Sequence, residues 1–500
     1  MIAEGLISIF TSPSAILWNL FGTFVGIIFG AIPGLSAVMA MVLFLPLSFG
    51  LETIQGIALL LGLYVGGISG GMISAILLKI PGTPASVCTV YDGGPMAERG
   101  EAGKALKIGV LFSFIGGIIS TIFLVFLSRP LASIALKFSP VEYCSIAVMS
   151  LTIIASLSGS SLVNGLISGC LGIFLSLIGT SPIGARPRLI FFGKRQLYSG
   201  IPTITLLIGI FAVAEIIKSV GDQNANAQVK QYSMGKGLGI TSKEFREQAW
   251  NMLRSALLGV GIGILPGLGA NTSSVLAYGI AQSSSKYPEK YGTGIIDGLV
   301  ASETANNANT GGAMIPMLAL GIPGNTPTAL LIAALTVQGV NCGPLIFQKN
   351  GPLCYAIFAA FALANIFMLL LEWWGNRLFV KVLQVPKHIL YPIIIVMCMV
   401  GTFADKNRSF EISVVVIIGI LYYFFRKFGA QSAPCVIGYI LGPMLEANFG
   451  QAISQSGGSF LPFVTRPISL FFLIITVIMV AFVIRKNIRH EKNILADDDD

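Results

Sequence analysis

Long apolar runs with almost no charge dominate this chain of 500 residues. Hydrophobic residues make up 54% of it and charged residues only 11%, whereas soluble domains carry about 25% charged residues. Runs long enough for a membrane helix, about 20 residues, recur from residue 14 to residue 484. They do not alternate with polar residues as the strands of a membrane barrel do. The sequence therefore predicts an all-α polytopic membrane protein with about 11 to 14 membrane segments.

The apolar runs are interrupted by two pairs of glycine and proline loops. The motif Gly-x-x-x-Gly-x-x-Pro-Gly at 26–34 recurs at 259–267, and Ile-Pro-Gly-Thr-Pro at 80–84 recurs as Ile-Pro-Gly-Asn-Thr-Pro at 322–327. Irregular backbone is tolerated at membrane depth only where it is buried in protein or lines a cavity. Duplicated breaks of this kind point to a transporter binding site. We therefore predict two repeats, inverted with respect to each other, with broken helices and re-entrant hairpins.

The longest hydrophilic interval, residues 218–254, separates the two copies. The predicted organisation is a first membrane repeat at 1–217, a polar linker at 218–254, a second membrane repeat at 255–452, an extra C-terminal helix at 453–486 and a charged tail at 487–500. The net charge of +9 comes from basic residues that fall mostly in loops. That distribution is the topology signal of a protein in a lipid bilayer, so no nucleic-acid partner is expected.

The first loop of each copy, at 33–34 and 266–267, is expected to break a membrane helix. Proline removes a backbone donor and glycine tolerates positive φ, so a second half-helix can begin just after the break. A half-helix N-terminus offers free amides and a partial positive charge, which suit a carboxylate. The alternative is a proline kink among small residues that pack helices closely. The candidate substrate contacts at the two breaks are Gly34, Ser36, Asn271 and Thr272.

The second loops, at 81–86 and 323–328, are interpreted as the tips of re-entrant hairpins. Prolines around a hydroxyl or amide residue prevent a helix through the tip, whose backbone must then find partners in protein, water or ligand. The alternative is a turn outside the membrane, and residues 89–107 are expected to form a loop. The candidate substrate contacts at the tips are Gly82, Thr83, Pro84, Gly324, Asn325 and Thr326.

The two copies differ most at residues 303–310, where an acidic residue and three asparagines replace the apolar residues 61–68. Polar groups of this kind are costly against lipid, so they should face a cavity or the protein interior. Glu303 and Asn309 could hold a coupling cation, whereas Asn306 and Asn307 could bind the substrate. The alternative is a loop at the membrane surface.

Several spaced motifs resemble the large membrane subunit, the TctA family, of tripartite tricarboxylate transporters. They are Gly-Ile-Ile-Phe-Gly-Ala-Ile-Pro-Gly-Leu at 26–35, Leu-Lys-Ile-Pro-Gly-Thr-Pro-Ala-Ser at 78–86, Asp-Gly-Gly-Pro-Met-Ala at 92–97, Ala-Asn-Asn-Ala at 305–308 and Leu-Gly-Ile-Pro-Gly at 320–324. The resemblance implies a multi-pass permease of the bacterial inner membrane that takes up a carboxylate. It also implies a small membrane subunit, a periplasmic solute-binding protein and a sodium or proton gradient, with no other cofactor. Similar hairpin transporters move by an elevator-like mechanism.

Two other functions are alternatives to a transporter. An intramembrane enzyme is not expected, because the chain has no His-Glu-x-x-His motif, only two histidines and no phosphate-binding loop. An ion or solute channel would also accommodate broken helices, so the sequence leaves that alternative open.

Overall fold

A computed structural model describes residues 2–157, 162–221, 239–382 and 387–497. Residues 222–238 of the predicted polar linker and 498–500 of the predicted tail lie outside the described residues. The described chain is almost entirely helical, which confirms the predicted all-α membrane class. Its only regular strands are the antiparallel pair Gly179–Thr180 (β1) and Pro187–Arg188 (β2).

The α-helices of the first half follow one another with short connections. They are Ile2–Phe10 (α1), Pro13–Ala31 (α2), Ala37–Phe49 (α3), Thr53–Leu78 (α4), Val87–Met96 (α5), Ala102–Ala135 (α6), Pro140–Leu157 (α7), Leu162–Ser176 (α8), Thr203–Leu207 (α9) and Ala214–Gly221 (α10).

The second half of the described chain contains eleven α-helices. They are Ser242–Ile264 (α11), Ala270–Ser283 (α12), Ile296–Leu320 (α13), Thr326–Val337 (α14), Ile346–Lys349 (α15), Gly351–Val382 (α16), Lys387–Lys406 (α17), Ser409–Lys427 (α18), Ser432–Gln455 (α19), Leu461–Thr465 (α20) and Pro467–Asp497 (α21).

Five helical stretches of the described chain are long and apolar enough to cross a membrane. They are Pro13–Ala31, Thr53–Leu78, Pro84–Ala135, Gly351–Gly375 and Ser409–Lys427. Shorter apolar helices accompany them, including Ala37–Phe49 after the first break and Thr326–Val337 after the second tip. The chain is therefore a multi-pass membrane protein.

The chain divides into two compact units that do not coincide with its two halves. The first unit comprises residues 1–135 and 207–423, and the second comprises residues 136–206 and 424–500. Each unit thus takes sequence from both sides of the predicted linker.

Helices α4 and α13 lie at the centre of the first unit and are buried along nearly their whole length. Helix α4 packs against α2 of its own half and against α16 of the other half. Helix α13 packs against α11 of its own half and against α6 of the other half. Each central helix therefore contacts one helix of its own half and one helix of the other half.

Glycines allow α2 and α4 to approach each other backbone to backbone. A Cβ added at Gly26 would lie 2.6 Å from the carbonyl oxygen of Leu63, and one added at Gly66 would lie 2.3 Å from that of Thr23. The second half uses the same device, since a Cβ at Gly259 would lie 2.4 Å from the carbonyl oxygen of Ala305. Such small-residue contacts are the usual means of close helix packing in membranes.

The second unit contains α7, α8, α19 and α21, which pack together. Helix α21 is tied to α7 by Arg466, whose Nε lies 2.9 Å from Oε1 of the buried Glu142. The β1–β2 segment is held to α19 by Arg188, which donates to both carboxylate oxygens of Glu446 at 2.8 and 2.9 Å. Helix α21 extends to Asp497, past the predicted helix end at 486.

The predicted loop at 89–107 is wrong, because this segment is helical. Helix α5 covers its first part, a π-helical turn follows at Ala97–Glu101, and α6 begins at Ala102. Glycine in this segment allows close helix packing, since a Cβ at Gly93 would lie 2.6 Å from Cγ1 of Ile76 on α4. The chain bends only at Gly100, whose φ is +84°.

Candidate functional site

Both predicted breaks separate two helices. At the first break, α2 ends at Ala31, Gly34 adopts a φ of +93°, and Ser36 caps α3 by accepting from the amide of Met39 at 3.2 Å. At the second break, α11 ends at Ile264 and Gly267 adopts a φ of +84°. Positive φ is readily available to glycine, which accounts for its presence at both positions.

The candidate residues at the breaks have different environments. Gly34 and Asn271 are exposed, whereas Ser36 and Thr272 are half-buried. Two polar residues of the second break, Ser273 and Ser274, are buried, and Oγ of Ser273 lies 2.8 Å from Nδ2 of Asn309.

The first tip, residues 81–86, follows α4 after Lys79, which has a φ of +55°. The amide of Gly82 donates to the carbonyl oxygen of Gly71 at 3.3 Å, which holds the tip against its own helix. Thr83 is buried, and its Oγ1 has no hydrogen-bond partner among the described residues. Pro84 is exposed.

The second tip, residues 323–328, follows α13 after Gly321, which has a φ of +71°. Asn325 caps α14, because its Oδ1 accepts from the amide of Thr328 at 3.1 Å. The carbonyl oxygen of Gly324 accepts from the amide of Gly267 at 2.7 Å, which joins this tip to the second break. Gly324, Asn325 and Thr326 are all buried.

Each tip is hydrogen-bonded to the central helix of the other hairpin. Nδ2 of Asn325, in the second tip, lies 2.7 Å from the hydroxyl of Tyr64 on α4. Nδ2 of Asn306, on α13, lies 3.4 Å from the carbonyl oxygen of Ala85 in the first tip. Residues 64 and 306 are separated by 242 positions, as are residues 80 and 322 where the two tip motifs begin. The two hairpins are therefore connected by contacts at corresponding positions.

A first cluster of side chains, which we call the amide cluster, consists of Tyr64, Ser273, Asn309 and Asn325. Asn309 lies at its centre, where its Nδ2 donates to Ser273 and, at 3.2 Å, to the carbonyl oxygen of Leu268. Its Oδ1 accepts from Nδ2 of Asn325 at 3.3 Å. The cluster connects α13 to the second break, the second tip and α4.

A second group, the carboxylate cluster, consists of Thr89, Ser113, Glu303, Asn306 and Asn307. Oε1 of Glu303 accepts from the hydroxyl of Thr89. Its Oε2 accepts from Ser113 at 3.0 Å and from Asn306 at 3.2 Å. Nδ2 of Asn307 donates to Ser113 at 2.8 Å and also to Oδ1 of Asn306. Asn306 therefore belongs to this cluster and also contacts the first tip.

The family model of the tripartite tricarboxylate transporter TctA family matches residues 16–437, a range that includes both breaks, both tips and both clusters. The chain belongs to the TctA family. It is also 32% identical over 482 residues to an uncharacterized 52.8 kDa protein in the TAR-I ttuC' 3' region of Agrobacterium vitis. That match covers 96% of this chain and 95% of the relative.

A second relative, an uncharacterized protein in the TAR-II ttuC' 3' region of Agrobacterium vitis, is 32% identical over 239 residues. The match covers 48% of this chain and 99% of that protein. The family match confirms the resemblance seen in the sequence motifs. This TctA family member is thus a component of a tripartite tricarboxylate transporter.

The polar stretch of this TctA chain at 303–310 lies inside α13 and is buried. The alternative of a loop at the membrane surface is therefore wrong. The two residues proposed to share a cation, Glu303 and Asn309, belong to different clusters. Among the described residues, no group of three or more His, Cys, Asp and Glu side chains is arranged to hold a metal ion.

Four residues of the two clusters were not among the predicted site residues, and one of them, Ser273, directly follows the predicted Asn271 and Thr272. Thr89 and Ser113 are single hydroxyl residues within otherwise helical apolar segments, and no local pattern distinguishes them. Tyr64 could have been found, because the offset of 242 that relates the tips also aligns it with Asn306.

The connection between α12 and α13 of this TctA chain is fixed by Asp92 on α5. Oδ1 of Asp92 accepts from the amides of Gly292, Gly294 and Ile295 at 2.8 to 3.0 Å. Its Oδ2 accepts from the hydroxyl of Tyr278 at 2.9 Å. The connection is thereby attached to the helix that follows the first tip.

The N-terminus of α11 is stabilised by an ion pair and by a capping hydrogen bond. Oε1 of Glu244 lies 2.7 Å from Nζ of Lys104, and its Oε2 accepts from the amide of Thr241 at 2.7 Å. The Lys104 ammonium and the Thr241 amide lower the pKa of the Glu244 carboxyl to about 2. The Glu244 carboxyl is therefore ionised throughout the physiological pH range.

Proposed function

We propose that this chain is the permease subunit of a tripartite secondary transporter in the bacterial inner membrane. It takes up a carboxylate solute, a tricarboxylate or another organic acid, that a periplasmic solute-binding protein delivers. A sodium or proton gradient drives uptake, and a small membrane subunit completes the assembly. The observation that carries this proposal is the pair of tips, each hydrogen-bonded to the central helix of the other hairpin.

The tips have the chemistry that a carboxylate requires. Thr83 and Asn325 in the tips and Asn306 on the neighbouring α13 are buried and carry hydroxyl and amide groups that can donate hydrogen bonds. Helix α14 begins directly after Asn325, and the N-terminus of a helix favours negative charge. Broken backbone at membrane depth is stable where it lines such a site.

Each central helix, α4 and α13, packs against one helix of its own half and one of the other half, which supports a two-fold relation between the two halves. In an inverted arrangement, such a relation brings two re-entrant tips together from opposite sides of the membrane. We further propose that the unit that carries both tips is the moving part of an elevator-like mechanism. We also propose that Glu303 binds the cation that couples transport, because Glu303 is a buried carboxylate beside Asn306.

The proposal is tested by uptake in cells that express the three components. The substrate is identified first, by screening carboxylates for thermal stabilisation of the solute-binding protein. We expect Asn306→Ala and Asn325→Ala to abolish uptake and to leave expression in the membrane intact. Asn365→Ala serves as a control, since this buried asparagine donates to the carbonyl oxygen of Phe361 on its own helix. Unchanged uptake in both tip variants would contradict the proposed site.

The alternative function is an ion or solute channel, to which broken helices are also suited. A secondary transporter gives uptake that saturates with substrate and collapses when the ion gradient is dissipated. A flux that stays linear with concentration and persists without the gradient would favour the channel.

A further inference from the structure

The second unit contains an apolar groove that its own side chains leave unfilled. The groove has a volume of about 380 Å³, which lies within the range of small-molecule pockets. It is lined by Cys144 and Val148 on α7, Leu177 just after α8, Leu445 on α19 and Phe463 on α20. Because the bilayer core contains no water, an apolar groove at that depth is filled by hydrocarbon.

Aromatic rings border this groove where α19 approaches its end and α20 begins. The rings of Phe449, Phe460 and Phe463 pack with centroids 6.2 to 6.4 Å apart. Phe449 and Phe460 also line the groove and are exposed. The groove is therefore accessible from the surface of the unit.

The acidic groups at the groove are neutralised by arginines. Glu446 lines the groove and accepts from Arg188 through both carboxylate oxygens. Glu142, two residues before Cys144, is paired with Arg466 at 2.9 Å. Nε of Arg188 is buried and has no hydrogen-bond partner among the described residues. One arginine beside the groove thus keeps an unused donor.

Residues 179–200, which we call the basic segment, follow α8 and contain four basic residues and no acidic residue. Arg188 attaches this segment to the groove through Glu446. The other three, Arg186, Lys194 and Arg195, are exposed and form no ion pair within the described chain. Exposed aromatic residues accompany them in the same segment. Basic and aromatic residues together are typical of a segment at the level of the lipid headgroups.

We propose that the second unit binds an anionic phospholipid, with one acyl chain in the groove and the phosphate against the basic segment. The groove requires a hydrocarbon chain, and the unpaired basic residues attract an anion. An anionic phospholipid supplies both in one molecule, and basic pockets beside membrane helices bind such headgroups. A zwitterionic lipid fills the groove but brings no net charge. The proposal does not depend on which solute is transported.

The test uses the full-length protein, purified in a neutral detergent and freed of lipid. Its probes are phosphatidylglycerol, phosphatidylcholine with the same acyl chains, and inorganic phosphate. Binding is measured by native mass spectrometry and by thermal stabilisation. We expect phosphatidylglycerol to bind about tenfold or more tightly than phosphatidylcholine, and phosphate alone to give no stabilisation. Equal affinities for the two lipids would overturn the proposal.

A charge variant tests the basic segment. The triple variant Arg186→Gln, Lys194→Gln and Arg195→Gln removes exposed residues without breaking an ion pair, so the fold should be kept. We expect it to bind phosphatidylglycerol no better than phosphatidylcholine, because each basic residue near the headgroup contributes to the attraction.

The matched control removes the same charge from the first unit. The triple variant Lys243→Gln, Lys286→Gln and Lys349→Gln changes three exposed lysines there. We expect it to keep the preference for phosphatidylglycerol. An equal loss of preference in both triple variants would show a general effect of net charge and would contradict a site in the second unit.

A groove variant tests the acyl-chain position. Leu445→Trp places a larger side chain in the groove and should weaken binding of both lipids about equally. Val148→Trp on α7 gives the same test if Leu445→Trp does not fold. Unchanged lipid binding in a folded groove variant would mean that charge alone holds the lipid, and the proposed site would be wrong.

The groove has one competing occupant, a helix of the small membrane subunit. Native mass spectrometry of the protein assembled with that subunit distinguishes the two. Retention of phosphatidylglycerol in the assembly supports the lipid site. Its release on assembly would assign the groove to the subunit and overturn the proposal.

Discussion

Helices α4 and α13 are both buried and both follow a broken helix, yet they contact that break in different ways. Gly67 on α4 and Asn309 on α13 are separated by 242 positions, the offset that relates the tips. A Cβ at Gly67 would lie 2.5 Å from Cβ of Ala37, so the start of α3 packs directly against α4. Asn309 instead donates to the carbonyl oxygen of Leu268, just before α12, and to the hydroxyl of Ser273 on α12. The first half thus closes its break by packing and the second half by polar contacts.

The same contrast holds one and a half turns earlier in each helix. Leu61 on α4 is a buried apolar residue, whereas Glu303, at the corresponding position of α13, is the acceptor for three side chains. The two central helices are therefore both buried, but the side chains at these corresponding positions are apolar in α4 and polar in α13. The comparison indicates that α4 serves mainly as a packing surface, whereas α13 carries the buried polar side chains of Glu303, Asn306, Asn307 and Asn309.

The largest effect is expected where the two halves agree, at the glycines that allow close helix packing. Gly26→Leu and Gly259→Leu would each drive a side chain into a backbone carbonyl less than 3 Å away. We expect a loss of about 3 kcal/mol or more and little folded protein, measured as the monodisperse yield after extraction. Gly261→Leu is the control, because nothing lies within 4 Å of a Cβ at Gly261 on the same helix. Equal yields for Gly259→Leu and Gly261→Leu would contradict the packing argument.

An intermediate effect is expected where the halves differ, at Asn309. Asn309→Ala removes the donor to Ser273 and the acceptor for Asn325, which keeps its contact with Tyr64, so stability should fall by about 1 to 3 kcal/mol. Uptake should fall about tenfold or more, because Asn309 holds Asn325 of the second tip in position. Ser273→Ala removes only one of these contacts and should have the smaller effect on thermal stability. A Ser273→Ala variant that is less stable than Asn309→Ala would show that Asn309 is not the centre of the cluster.

The smallest effect is expected at the contact between the second tip and α4. Tyr64→Phe keeps the ring but removes the oxygen that accepts from Asn325, at a cost of about 0.5 to 1.5 kcal/mol. In a double-mutant cycle measured by thermal unfolding, Tyr64→Phe should couple to Asn325→Ala. The same substitution should be additive with Asn365→Ala, which lies outside the amide cluster. Additivity in both cycles would mean that the tip and α4 are energetically independent.

The sequence by itself determined the class of this protein and the places where its helices break. Uncharged apolar runs require helices in a membrane, because every backbone group must be paired there. Proline and glycine mark the interruptions locally, since one lacks an amide donor and the other tolerates positive φ. The polar stretch at 303–310 is also evident from the sequence, because its residues interrupt an apolar run.

Only the tertiary structure decided which groups meet. Thr89 and Ser113 bind Glu303 from positions about 200 residues away, and a single hydroxyl in an apolar helix carries no local sign of its partner. Helix α5 was misread as a loop, because the close packing of Gly93 against Ile76 depends on a neighbouring helix. Periodicity and turn chemistry act over a few residues, whereas packing and hydrogen bonds between helices depend on distances that only the folded chain defines.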